Sequence, residues 1–282
     1  MKYGFNLLLW TTHVTADQFQ LFGKLKAAGY DGVELPIFEG DEAHYKTVRK
    51  ALDDHGLKCT AVTVVGPEAN PISDDAAVRE AAVERLKRVI DLLAVCGGDV
   101  LCGPYHSPLA VFSGTGPTGD EKTRAADVLR QAAEHAAKNN VTLAIEYLNR
   151  FECYFLTTAA DTLALVKAVS HPSFGAMYDT FHANIEEKQA GPAIRRLAPV
   201  LRHVHISEND RGTPGTGHVA WAETFRTLKQ VGYDGWLTVE SFGRALPALA
   251  AATKVWRDLF PAEEPWQKGI TFMKEQWAVA DK

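Results

Sequence analysis

Short runs of apolar residues alternate along this chain with longer segments of helical periodicity. We predict eight strands, at residues 3–9, 32–35, 58–64, 99–102, 141–146, 174–178, 201–205 and 236–240. Several of these runs are continuously apolar rather than alternating, as in parallel strands that are buried on both faces. The pattern therefore favours a parallel sheet whose strands are covered by helices.

Amphipathic helical segments lie between the strands, most clearly at residues 76–94, 120–139 and 158–169, where apolar side chains recur every three or four positions. Glycines stand where four of the helical runs end, at Gly29, Gly56, Gly97 and Gly232. A glycine just after the last helical residue is a common helix terminator. Strand and helix thus repeat as one unit along the chain.

Repeated strand–helix units without a linker between them predict one domain, residues 1–282, folded as an α/β protein of the (β/α)8 TIM-barrel class. The alternative is an open, doubly wound sheet. No GxGxxG motif follows the first strand, so the sequence disfavours the dinucleotide-binding form of that alternative.

Charge and composition exclude some classes of partner. The 30 basic and 35 acidic residues give a net charge of −5, which argues against a nucleic-acid partner, since nucleic-acid-binding proteins usually carry a basic face. No apolar run is long enough for a transmembrane helix, so we expect no membrane partner. The four cysteines lack metal-site spacing and are interpreted as free thiols in a reducing compartment, the cytoplasm.

Four residues that can bind a metal stand at equivalent places in the second half of the chain. Glu146, Asp179, His205 and Glu240 end or directly follow the fifth to eighth predicted strands. Active sites of such barrels lie at the C-terminal ends of the strands, so these side chains should meet at one mouth. Three oxygen ligands and one nitrogen suit one divalent cation such as Mn²⁺, Mg²⁺ or Co²⁺. For each residue taken alone, a structural salt bridge is the more common role, and it is the set of four in register that favours a metal.

Further polar side chains follow the same strands. Glu152 lies six positions after Glu146, His182 three after Asp179, and Arg211 six after His205. Together they offer donors and an acceptor that suit the hydroxyl groups of a sugar, although each could also be an ordinary surface residue.

The second half of the chain resembles the ketose 3-epimerases, the group of D-tagatose 3-epimerase and D-allulose (D-psicose) 3-epimerase, within the xylose-isomerase-like barrels. The resemblance rests on EYLNRFE (146–152), DTFHANIEE (179–187), HVHISENDRGTPGTG (203–217) and VES (239–241). These strings occur in the family's order and at its spacing. The first half matches the family in layout more than in residues.

The resemblance implies an activity and a role for each candidate residue. It implies epimerisation at C3 of a free ketose, by removal and return of a proton through an enediolate, with Mn²⁺ favoured over Co²⁺ or Mg²⁺ as the cofactor. The implied metal ligands are Glu146, Asp179, His205 and Glu240, with Glu146 and Glu240 also the two acid/base groups. Glu152, His182 and Arg211 would hold the ketose near O1, O2 and O3. A homodimer or homotetramer is also implied.

The first half departs from the family at Asn6, at Val64 and in the loop 104–109, near places where relatives carry apolar side chains at the far end of the sugar pocket. The sequence therefore leaves the preferred ketose open. Trp10 and His106 are further candidates for the pocket wall, the alternatives being a core tryptophan and a surface histidine.

The C-terminal region carries aromatic residues that could serve an oligomer interface. These are Trp256, Phe260, Trp266 and Phe272. The alternative is that they pack on the outer helices of their own barrel.

Three other functions compete with epimerisation. The same barrel and metal ligands would serve an aldose–ketose isomerase, a hydroxypyruvate isomerase, or an inosose or dehydroshikimate dehydratase. An endonuclease IV-like DNA hydrolase is disfavoured by the negative charge and by the few histidines at strand ends. A non-catalytic sugar-binding barrel is disfavoured because Glu146 and Glu240 are both present.

Overall fold

Eight parallel strands form a closed barrel in this structure, a computed structural model that describes residues 1–280. The strands are β1 (Lys2–Asn6), β2 (Gly32–Pro36), β3 (Lys58–Val62), β4 (Val100–Gly103), β5 (Thr142–Ile145), β6 (Phe174–Asp179), β7 (Leu201–Ile206) and β8 (Trp236–Val239). Each strand pairs with the next, and β8 returns to pair with β1. The predicted single-domain barrel is confirmed, and the open sheet is excluded.

Helices surround the barrel. They are α1 (Phe19–Ala28), α2 (Glu42–His55), α3 (Ala76–Cys96), α4 (Gly119–Lys138), α5 (Ala159–Val169), α6 (Thr180–Glu186), α7 (Ala190–Leu197), α8 (Trp221–Gln230), α9 (Pro247–Thr253) and α10 (Glu264–Val279). Three of them, α3 to α5, match the predicted segments to within two residues. Within residues 1–280, no helix combines the length and the apolar character needed to cross a bilayer.

The first strand is shorter than predicted. It ends at Asn6, and residues Leu7–Leu9 form a 3₁₀ turn instead of continuing the strand. The Asn6 side chain causes this change of direction, because its Oδ1 accepts a hydrogen bond from the backbone N–H of Leu8 at 2.8 Å. The apolar run across residues 3–9 hides this turn, because Leu7, Leu8 and Leu9 are buried in either conformation.

Alternation along the strands aims one set of side chains into the barrel. Successive side chains of a strand point to opposite faces, so residues two apart share a face. Met177 therefore lies on the same inward face as Asp179, and Trp236 on that of Thr238. Met177 and Trp236 belong to one buried apolar cluster. Apolar side chains thus fill the barrel interior and close it beneath the C-terminal ends of the strands.

The C-terminal aromatic residues mostly pack on their own chain. The Phe272 ring lies 5.1 Å from that of Trp221 and 6.1 Å from that of Phe225, measured between centroids. The Trp266 carbonyl accepts a hydrogen bond from Tyr30, and Phe260 also packs against the core. Trp256 is 68% exposed and is the only one of the four that stands out from the surface. The alternative of packing on the barrel's own helices holds for the other three.

Candidate active site

All four predicted metal ligands lie at the same mouth of the barrel and are buried. Glu146 and Glu240 directly follow β5 and β8, Asp179 ends β6, and His205 is the penultimate residue of β7. A cavity of about 260 Å³ opens beside them, and Glu152, His182 and Arg211 are among its lining residues, together with Glu146 and Glu240. The structure therefore brings the predicted site residues together.

Asp179 divides its two oxygens between the fold and the site. Oδ1 caps helix α6 by accepting hydrogen bonds from the backbone N–H groups of Phe181 and His182, at 2.6 and 3.2 Å. Oδ2 faces the site, 3.5 Å from Nδ1 of His205 and 3.4 Å from Nη1 of Arg211. Burial favours a neutral carboxyl, but Arg211, His205 and His182 together outweigh it and keep the pKa of Asp179 well below its usual value.

One ring nitrogen of His205 is hydrogen-bonded to the barrel interior, and the other faces the site. Its Nε2 hydrogen-bonds Oε1 of Glu34 at 2.7 Å. Its Nδ1 lies 3.3 Å from Oε1 of Glu240 and 3.5 Å from Oδ2 of Asp179. This nitrogen is fully buried and forms no well-aligned hydrogen bond within residues 1–280. Burial lowers the pKa of a histidine, but Glu34 and Glu240 together raise the pKa of His205 well above its usual value.

Arg211 is fixed over the carboxylates by its surroundings. Its Nη1 donates to Oε2 of Glu240 at 2.7 Å. The guanidinium stacks 3.7 Å above the Phe181 ring and 4.9 Å from the Phe242 ring. The backbone of Arg211 has φ of +68°, a conformation that side-chain-bearing residues rarely adopt and that is often found at functional sites. The local chain is therefore strained to place this cation.

Glu146 is the least restrained of the four. Its ion-pair contact is with His182, whose Nε2 lies 3.6 Å from Oε1. Burial raises the pKa of Glu146 well above its usual value, and the nearby Asp179 and Glu240 carboxylates raise it further. Burial and Arg211 lower the pKa of His182 to about 3, so its imidazole is neutral at physiological pH.

The donor set fits a divalent cation. Ligand atoms of Asp179, His205 and Glu240 lie within 4.8 Å of one another, and so do those of Glu146, Asp179 and His182. The two groups share Asp179 and between them contain all four predicted ligands. The imidazole nitrogen of His205, buried between two carboxylate oxygens and without a hydrogen bond, is the arrangement expected of a metal ligand. Oxygen ligands with one imidazole suit Mn²⁺, Mg²⁺ or Co²⁺.

The predicted pocket wall is partly correct. Val64, Pro104 and Leu109 line the cavity. Trp10 does not, because it packs on Phe5 with ring centroids 5.0 Å apart.

Two further expectations about the pocket are wrong. His106 is neither in the cavity wall nor on the surface, because it is fully buried and its Nδ1 pairs with the Ser107 hydroxyl at 2.8 Å. Asn6 lies beneath the site rather than at its far end, and donates to Glu240 from the barrel floor.

Sequence reasoning missed two parts of the site. One is helix α9, which supplies Ala248, Leu249, Ala252 and Thr253 to the cavity wall. Its small and apolar residues carry no chemical signal. The other is Glu34, which is fully buried against His205. A glutamate inside the apolar strand GVELP is a detectable signal, since charged residues are rarely buried without a partner.

Comparison with known proteins identifies relatives over nearly the whole chain. The family model of the xylose isomerase-like TIM barrel matches residues 22–276. A ketose 3-epimerase from Arthrobacter globiformis is 33% identical over 267 residues, which cover 94% of this chain and 92% of that protein. A D-psicose 3-epimerase from Agrobacterium fabrum is 34% identical over 264 residues, which cover 92% of this chain and 91% of that protein.

A solved structure shows the same architecture. The crystal structure of a D-allulose 3-epimerase from Methylomonas sp., in complex with D-allulose, superposes with a TM-score of 0.91 at 28% sequence identity. The match covers 98% of this chain and 97% of that one.

Proposed function

This chain belongs to the xylose isomerase-like TIM-barrel family and to its ketose 3-epimerases, and we propose that it inverts the configuration at C3 of a free ketose. A proton on the carbon beside a ketone is weakly acidic, and its removal leaves a planar enediolate. Return of a proton to the opposite face inverts the centre. The reaction therefore needs one acid/base group on each side of the substrate.

The position of Glu146 and Glu240 is the observation that carries this proposal. Both line the same cavity, and their strands, β5 and β8, are three strands apart around the closed barrel. A ketose in the cavity would lie between the two carboxylates. One glutamate removes the C3 proton and the other returns a proton from the opposite side, with their roles exchanged in the reverse reaction.

We assign the metal to Glu146, Asp179, His205 and Glu240, with Mn²⁺ favoured. When bound, a divalent cation supplies positive charge that stabilises the negative charge developing on the ketose oxygens. The same charge would relieve the repulsion between three buried carboxylates, which adds to burial in raising the pKa of Glu146.

We assign substrate positioning to Glu152, His182 and Arg211. Each lines the cavity beside the acid/base pair. Asn149 connects two of them, since its Nδ2 donates to Oε1 of Glu152 at 2.8 Å and its backbone N–H donates to Nδ1 of His182 at 3.0 Å. Polar groups that converge in this way can orient a sugar by its hydroxyls.

Isotope labelling tests the reaction and separates it from its rivals. The enzyme with Mn²⁺ is incubated with a panel of ketoses in D₂O, and the products are identified by chromatography and NMR. We expect a C3 epimer that carries deuterium at C3, because exchangeable carboxyls take and return the proton. Label confined to C1 or C2 would indicate an aldose–ketose isomerase, and a deoxy or unsaturated product a dehydratase. Turnover without any label would also contradict the proposal.

A further inference from the structure

A buried carboxylate lies directly beneath the proposed metal site. Glu34 stands in the middle of β2, and its side chain is fully inaccessible to solvent. It takes no part in lining the cavity. A charge at such a position is costly unless the surrounding groups satisfy it. The groups that surround Glu34 therefore indicate why the barrel retains it.

Polar groups converge on both oxygens of Glu34. Oε1 accepts from Nε2 of His205 at 2.7 Å and from Nδ2 of Asn6 at 2.9 Å. Oε2 accepts from the Thr60 hydroxyl at 2.9 Å and from Sγ of Cys102 at 3.2 Å, and lies 2.8 Å from Nε2 of His203. The carboxylate is thus fully satisfied, and one of its partners is a proposed metal ligand.

The contact with Glu34 determines which nitrogen of His205 faces the metal site. A carboxylate can only accept, so the shared hydrogen lies on Nε2 of His205. In the neutral ring Nδ1 then carries the lone pair that a metal ion needs, and it faces the space beside Asp179 and Glu240, whose oxygens are 3.5 and 3.3 Å away. A carboxylate behind a metal-binding histidine fixes the ring's tautomer and orientation in many metal sites.

Asn6 extends the same support to a second ligand. Its Oδ1 accepts from the backbone N–H of Leu8, which fixes the orientation of the amide. Nδ2 then donates to Oε1 of Glu34 at 2.9 Å and to Oε1 of Glu240 at 3.2 Å. One amide therefore ties the carboxylate below the site to a carboxylate within it.

A second metal ion is the competing explanation of this cluster. Ligand atoms of Glu34, Cys102, His203 and His205 lie within 4.8 Å of one another. Hydrogen bonds already account for both oxygens of Glu34, however, and two of the donors, Asn6 and Thr60, are outside that ligand set. The arrangement therefore fits a hydrogen-bonded support better than a second ion.

We propose that Glu34 and Asn6 are positioning residues, which hold His205 and Glu240 in the orientation that binds the metal. This inference rests on the proposed function, since it assumes that the mouth of the barrel takes a divalent cation. The proposed metal ligands all come from the last four strand–loop units. The inference therefore adds a role for the first two strands, β1 and β2.

The test measures Mn²⁺ binding by calorimetry on the full-length, metal-stripped protein. Glu34→Gln preserves the shape of the side chain and removes its charge, and we expect Kd for Mn²⁺ to rise about 10–100-fold. Asn6→Ala should raise Kd by less, because His205 keeps its own contact with Glu34. The matched control is Thr60→Val, which removes a hydrogen bond from the Glu34 oxygen remote from His205. It should change Kd much less than Glu34→Gln does.

Thermal unfolding of each metal-stripped variant separates positioning from a purely structural role. A structural role would lower Tm in Glu34→Gln and Thr60→Val alike and leave Kd unchanged in both, and that result would overturn the proposal. If Glu34→Gln does not fold, an unchanged Kd in Asn6→Ala would overturn it instead. Binding of two ions per chain would overturn the proposal in favour of a second metal site. A wild-type protein that binds no Mn²⁺ would contradict the metal site of the proposed function itself.

Discussion

The two proposed acid/base residues differ in how tightly their surroundings hold them. Glu240 receives hydrogen bonds from Asn6 and Arg211, at 3.2 and 2.7 Å. Within residues 1–280 the Glu146 side chain receives no such hydrogen bond, and its ion-pair contact is with His182, with 3.6 Å between Oε1 and Nε2. Replacing the charge of Glu240 therefore breaks an ion pair, whereas replacing that of Glu146 removes a buried charge that its neighbours repel.

Replacement of Glu146 or Glu240 by glutamine should nearly abolish turnover. Loss of an acid/base group typically costs about 10²–10⁴-fold in rate, and impaired metal binding should add to this. Glu146→Gln should retain or raise the Tm of the metal-free protein, because the pKa of Glu146 is already raised by burial, whereas Glu240→Gln should lower it. Steady-state rates and thermal unfolding measure both effects, with the exposed Glu84→Gln as the control. Substantial turnover in either variant would contradict the assigned roles.

The buried thiols predict a loss of stability in alkaline solution. All four cysteines are free and buried. Burial raises the pKa of Cys153 to about 11 and that of Cys102 well above its usual value, and a hydrogen bond with Cys96, together with burial, does the same for Cys59. The folded state therefore resists deprotonation while the unfolded chain loses protons from about pH 8.5. The stabilisation is complete below that pH and is lost as pH rises toward the folded-state pKa.

The free energy of unfolding should fall by about 1 kcal/mol between pH 7.5 and 9.5 for each of the thiols with a raised pKa, Cys59, Cys102 and Cys153. Urea denaturation under reducing conditions at the two pH values measures the loss. Cys153→Ala should reduce the pH dependence, and an identical slope in that variant would contradict the assignment.

At the scale of elements, the pairing of β4 with β5 positions Glu146. The backbone N–H of Glu146 donates to the carbonyl of Gly103, the last residue of β4, at 3.1 Å. Gly103 has φ of +122°, and a β-carbon there would clash with the carbonyl oxygen of Thr63. No other residue type fits this position without moving β3 or β4.

Gly103→Ala should therefore destabilise the protein by roughly 2–5 kcal/mol, combining backbone strain with a steric clash. It should also lower kcat, because β4 supports Glu146. Gly116→Ala, in the loop between β4 and α4, is the control, since a β-carbon there would have no heavy atom of the described residues within 4 Å. Chemical denaturation and steady-state kinetics compare the two, and equal stability of both variants would refute the argument.

The sequence predicted the order and type of the elements well, and their local interruptions poorly. All eight strands are found, because parallel strands buried on both faces leave continuous apolar runs. The strand predicted at residues 3–9 was too long because the turn at Leu7–Leu9 depends on one side-chain hydrogen bond from Asn6. The proposed site residues in the last four units were predicted from their repeated position after strands, and the structure places them around one cavity. Glu34 was missed because its partners lie up to 171 residues away.

At the scale of the whole molecule, the core does not depend on the metal. The strands pair all around the barrel, and Arg211 supplies a positive charge to Asp179 and Glu240 from the protein itself. We predict that chelation abolishes activity, that Mn²⁺ or Co²⁺ restores it, and that the far-UV circular dichroism spectrum survives stripping. Mn²⁺ at 100 times its Kd should stabilise the fold by about 2.7 kcal/mol. Full activity after thorough stripping, or loss of the spectrum, would contradict this.

Assembly is a separate prediction at this scale. The resemblance to the ketose 3-epimerases implies a homodimer or homotetramer. Exposed apolar side chains suit such an assembly, notably Phe112, Phe151 and Trp256 at 49, 73 and 68% exposure. Light scattering at working concentration should give two or four times the monomer mass, and a monomer would refute the prediction.

The pairing of the first strand with the last has a consequence for how the protein is made in a cell. Asn6 and Glu240, which meet in the site, are 234 residues apart. At typical translation rates of about 5–20 residues per second, roughly 10–50 s separate their synthesis. During that interval β1 has emerged from the ribosome but lacks β8, one of its two neighbours in the barrel. Its unpaired edge can then pair with other chains. Synthesis of β8 therefore both completes the site and covers the exposed edge of β1.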